Sequence, residues 1–80
     1  MAREDILRQV NEIFIEILED EKLVLAEATQ AADVRDWDSL NHIQLIVAIE
    51  KHFNIRFRSR DIQSWRNVGE MINSIEEKQK

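Results

Sequence analysis

Apolar residues along this chain recur at steps of three and four, and that spacing predicts helices. Over residues 3–20, Ile6, Val10, Ile13, Phe14, Ile17 and Leu18 build one apolar stripe, with Arg8, Glu12, Glu16 and Glu19 mainly on the other side. From Glu21 to Trp37 the period breaks into a long connection, with Val24, Leu25 and Val34 available to pin it to a core. Connections of this length without regular structure are uncommon and are often functional. Helical spacing returns from Ser39 to Phe53, where Leu40, Ile43, Ile46, Ile49 and Phe53 make the predicted core stripe and Leu45 and Val47 widen it. Asn54 suits a left-handed helix stop. Within "IRFRSRDIQSW", Ser59 is the predicted cap of a single turn over residues 61–64, with Ile55, Phe57, Ile62 and Trp65 turned inward. Asn67 and Glu70 then form an N-x-x-E capping pair ahead of Met71, Ile72 and Ile75, predicting a last helix over residues 67–78. Gly69 falls in its first turn, where it costs at most about 1 kcal/mol against alanine.

The prediction is therefore all-α: a small four-helix bundle, with three longer helices, one short one and a long loop after the first. The absence of proline and the presence of one glycine fit it, since turn signals for hairpins are missing. Eighty residues suffice for a single domain over 1–80 with a small core. Cysteine is absent, so there is neither a disulfide nor a thiolate metal ligand. No apolar run is long enough to span a membrane, and the first ten residues do not read as a secretory signal. These features together fit a cytoplasmic chain.

Charge narrows the function further. The formal net charge is −5, and it is unevenly spread: residues 1–40 hold 11 acids and 4 bases, residues 41–80 hold 5 acids and 7 bases. An acidic first half repels phosphates and argues against nonspecific nucleic-acid binding, and Arg56, Arg58 and Arg60 are too few to reverse that. His42 and His52 lie ten residues apart on one helix, about 15 Å along its axis, so they do not share a metal and read as rim or solvated residues. Ser39 and His42 are helix neighbours, but no glycine near Ser39 makes a sharp nucleophile turn. Asp36 and Asp38 are as well explained by the helix dipole as by acid–base chemistry. The chain is not expected to be an enzyme.

What remains is "DWDSL". On these residues alone, two readings of Ser39 stand. In one, Asp38 caps the helix and Ser39 is merely its first residue. In the other, an exposed serine at a helix start, where free N–H groups and the dipole favour an attached phosphate, is a point of attachment. Leu40 and Val47, at the rim of the stripe, would then form an apolar shelf beside it.

Asp38-Ser39-Leu40, the helix "NHIQLIVAIEKHF", the long preceding loop, "FNIRF" and "NVGEMINSI" together resemble the acyl carrier protein family over nearly the whole chain. The resemblance implies 4′-phosphopantetheine from coenzyme A as the covalent cofactor, bound at Ser39 with Asp38 and Leu40 flanking it. It also implies a phosphopantetheinyl transferase and acyl-loading and acyl-processing enzymes as partners of a carrier that acts as a monomer. Carriers of fatty-acid synthesis usually have an acid-rich second helix. Here Asn41, His42, Gln44, Ala48, Lys51 and His52 occupy much of the outward surface and Glu50 is the only acid, which resembles carriers of specialised pathways. The peptidyl branch usually has glycines before the serine, where this chain has Asp36-Trp37-Asp38. The alternative is a helical protein–protein interaction module without a prosthetic group.

Overall fold

A computed structural model describes residues 2–79. Four α-helices follow one another: α1 (Arg3–Leu18), α2 (Ser39–Phe53), α3 (Ser59–Ser64) and α4 (Val68–Lys78), with one 3-10 turn at Ala31–Asp33 inside the long first connection. Among the described residues there is no strand. The all-α reading holds, with three longer helices, a short one and the long first loop. α1 packs on α2 and on α4, and α3 packs on α4.

The stripe of α1 is as predicted: Ile6, Val10, Ile13, Phe14 and Leu18 are buried, and Ile17 packs at the edge of the core. The helix stops two residues earlier than its pattern, because Glu19 takes a left-handed conformation and its N–H turns back to the Ile15 carbonyl. Asn54 is left-handed at the end of α2, as predicted.

The face of α2 is corrected. Leu45, Ile46 and Ile49 enter the core, with Ala48 and Phe53 at its edge. Ile43, placed in the stripe by its spacing, is 63% exposed, and Leu40 and Val47 stand out with it at 68% and 42%. At 100° per residue, Leu40, Ile43 and Val47 lie well over a right angle from the middle of the buried set. The helix is apolar on both sides, so spacing alone does not choose which side packs. In the first connection Val24 is exposed rather than pinning, and the anchoring falls to Leu25 and Val34, with Leu23 alongside.

The cap of α3 differs, and that of α4 holds at Asn67 but not at Glu70. α3 begins at Ser59 itself, with Arg58 as cap residue and the Asp61 carboxylate accepting from the Arg58 N–H at 3.0 Å. α4 begins at Val68, behind Asn67, whose Oδ1 accepts from the Glu70 N–H at 2.9 Å. The Glu70 carboxylate accepts from Arg66 N–H, one residue earlier than a reciprocal box requires.

The long connection is tied down at several points, so it is not a floppy tether. Val68 N–H donates to the Thr29 carbonyl and Gly69 N–H to that of Glu27, at 2.9 and 2.8 Å. Asn11 on α1 donates to the Leu23 carbonyl and accepts from the Leu25 N–H. Arg3 pairs with Glu27 and with Glu76 and donates to Asn73 Oδ1, joining α1, the loop and α4. Its hydrogen bonds to Glu27 hold that carboxyl below its usual range.

Candidate functional site

Ser39 is the first residue of α2 and is exposed. Its position is fixed by the residue before it. Asp38 is extended, and its carboxylate accepts from the Asn41 N–H at 2.8 Å. The Asp38 carbonyl takes the next N–H, that of His42, at 2.8 Å. Asn41 in turn donates from its side chain to the Asp36 carbonyl at 2.8 Å, fixing the chain's approach to the helix. The cap reading of Asp38 is thus correct.

The first four N–H groups of a helix have no partner within it. At α4 all four are taken, by the Thr29 and Glu27 carbonyls and by Asn67. At α2, among the described residues, the third and fourth are taken, by Asp38, while those of Ser39 and Leu40 have no such partner at the end where the serine stands. Such an end favours a phosphate through its N–H groups and its dipole.

Beside the serine lies what the sequence pattern did not disclose. Trp37 precedes the cap and His42 is the fourth residue of the helix, the two positions that a staple brings together across a helix start. The Trp37 indole N–H donates to His42 Nδ1 at 2.9 Å, and the two rings lie 28° apart in plane. Trp37 stands edge-on to buried Phe14. His42 is edge-on to Trp65, which is edge-on to Phe57. The aromatic string runs from the core to the rim of the serine. Burial pushes the His42 imidazole below its ordinary value. Both His42, half-buried here, and His52, whose Nε2 meets Gln9 Oε1 at 2.6 Å, have side-chain partners and are not simply solvated.

Ala31, Trp37, Asp38, Ser39 and His42 line a shallow, open depression of about 460 Å³. On the outer side, Leu40, Ile43 and Val47 form an exposed apolar row along α2. The shelf beside Ser39 is therefore present and includes Ile43. Glu50, the one acid of α2, lies on the same side as this row, three residues beyond Val47 and seven beyond Ile43. Its carboxylate is engaged, accepting from the Phe57 N–H at 2.9 Å.

The phosphopantetheine attachment site family matches residues 8–75. The chain belongs to that family. An acyl carrier protein of Caulobacter vibrioides is 31% identical over 74 residues, covering 92% of this chain and 95% of its own. One of Phenylobacterium zucineum is 28% identical over 74 residues, covering 92% and 94%. The solution structure of a holo acyl carrier protein from Geobacter metallireducens superposes with a TM-score of 0.86 at 36% identity, covering 91% of this chain and 84% of that one. The phosphopantetheine attachment family is one of carriers rather than enzymes, and 4′-phosphopantetheine is its group. No helix among the described residues is long and apolar enough to cross a membrane.

Proposed function

We propose that Ser39 carries 4′-phosphopantetheine as a phosphodiester and that the chain shuttles an acyl or related intermediate between enzymes of a specialised biosynthetic pathway. The observation that carries this reading is the exposed serine at the open end of α2, placed there by the Asp38 cap. Asp38 holds the helix end, Leu40 flanks the serine on the outer shelf, and the N–H groups of Ser39 and Leu40 would favour the phosphate of the attached group. When bound, the group supplies a terminal thiol that takes cargo as a thioester. The chain contributes presentation: a fixed attachment point, with partners doing the chemistry.

The outward surface of α2 supports a specialised pathway. Gln44 and Lys51 are exposed there beside Leu40, Ile43 and Val47, and the Glu50 carboxylate is engaged by the N–H of Phe57. A basic enzyme surface that selects an acid-rich helix finds little to hold. A transferase, acyl-loading enzymes and acyl-processing enzymes are the proposed partners of a cytoplasmic, monomeric carrier.

Intact-mass measurement after incubation with coenzyme A and a broad-specificity phosphopantetheinyl transferase tests the attachment. One phosphopantetheine should be gained, and Ser39→Ala should stay folded and gain none. A gain that survives Ser39→Ala would place the arm elsewhere.

A further inference from the structure

The staple at the start of α2 has more chemistry than a staple needs. An indole N–H only donates, so His42 Nδ1 is the acceptor of the 2.9 Å bond from Trp37. In the neutral imidazole the proton then sits on Nε2, which makes His42 a donor with its tautomer fixed. His42 and Trp37 line the same depression as Ser39, so donor, indole and attachment serine border one space. The other tryptophan is committed elsewhere: Trp65 Nε1 donates to Ser74 Oγ at 2.8 Å. Asp38, the acid of the depression, has its carboxylate on the Asn41 N–H. The volume, about 460 Å³, lies within the range of about 300–1,000 Å³ that holds small organic ligands. It is open to solvent, and Ser39 is one of the residues that line it.

We propose that Trp37 and His42 form a resting wall for the phosphopantetheine arm, the indole packing against its chain and His42 Nε2–H donating to one of its amide carbonyls. The inference rests on Ser39 as the attachment point. The arm's amides are the ligand chemistry: a planar carbonyl for the imidazole donor and apolar stretches for the indole face. The wall withdraws the arm from solvent between partners, and a partner draws it out by offering better contacts.

The test uses the protein with and without its arm, labelled for NMR. Addition of the arm should move the Trp37 indole N–H and the His42 ring signals, leave those of Trp65 and His52 nearly in place, and give cross-relaxation between arm methyl protons and the Trp37 and His42 rings. His42→Phe keeps a ring in the staple but removes the donor. With its fold checked by melting, it should raise the rate at which iodoacetamide, an uncharged reagent, alkylates the arm thiol by about two- to ten-fold, the value of one net hydrogen bond. If no arm is gained at all, the attachment fails and the resting wall with it. If the arm is gained at Ser39 but the ring signals and the alkylation rate match those of a free-swinging arm in both proteins, the resting wall alone is overturned.

Discussion

At the scale of single residues, the glycine at 69 is set by what lies above it. Its backbone φ is not positive, so conformation does not demand glycine there. Space does. A Cβ would meet the Glu27 carbonyl oxygen at 3.0 Å and Glu27 Cβ at 3.2 Å, and that same carbonyl accepts the Gly69 N–H. Helix propensity would reward alanine by up to about 1 kcal/mol, while overpacking against a tied backbone costs about 1–3 kcal/mol. Gly69→Ala should therefore lower stability by about 1 kcal/mol in denaturant unfolding, and a more stable variant would mean that the loop yields freely. His42 gives a pH dependence. Its folded value is depressed by burial, while the unfolded chain takes up the proton near the ordinary value of about 6.5. Below that pH the unfolded state binds more protons, so stability is full above about pH 6.5 and declines as pH falls toward the folded value. The melting midpoint of the wild type should drop over that window more than that of His42→Phe. Parallel curves for the two proteins would assign the proton uptake to another group.

At the scale of elements, α2 decides how far pattern reading reaches. Ile49 is fully buried and Ile43 is 63% exposed, although both are isoleucines at helical spacing in one helix. Ile49→Ala should cost about 2–5 kcal/mol. Ile43→Ala should fall within about 0.5 kcal/mol of wild type, as surface changes do. Comparable losses from the two would mean that α2 packs by the other face. The element itself was legible from Ser39 to Phe53, and so were the stripe of α1, the Asn54 stop and the Asn67 cap, because each rests on a local signal. The rotation of α2 was not, because a helix apolar on two sides is oriented only by what α1 offers it. Ser39 and Asp38 were legible as a capped serine at a helix start. The Trp37–His42 bond has as its only sequence signal a tryptophan before the cap and a histidine at the fourth helical position. The long connection showed no period because its order comes from polar ties to α1 and α4, made by Asn11, Arg3 and the first amides of α4, which a hydrophobic pattern does not register.

At the scale of the whole molecule, α2 presents a face with two electrical ends. Asp36 and Asp38 precede Ser39, and Lys51 lies twelve residues after it, about 18 Å along the axis, with Arg56 lining the same hollow as Lys51. Between them run the apolar side chains Leu40, Ile43 and Val47. An enzyme that docks this face is best served by basic groups around the mouth that admits the arm and acidic groups at the far end, since such charges steer encounter and act mainly on the on-rate. Enzymes built for an acid-rich helix meet the reverse sign at Lys51. Gln44 and Lys51 are exposed and carry the test; Asn41 does not, because its side chain holds the Asp36 carbonyl. The doubly substituted protein, Gln44→Glu with Lys51→Glu, should accept malonyl groups and support condensation by fatty-acid elongation enzymes faster than the native sequence. That gain should shrink as salt rises, because exposed charges are screened beyond about 8 Å at physiological ionic strength. A native protein that already serves those enzymes as well as a dedicated fatty-acid carrier would remove the support that surface charge gives to a specialised pathway. A gain insensitive to salt would mean that the substitutions act by shape and not by steering.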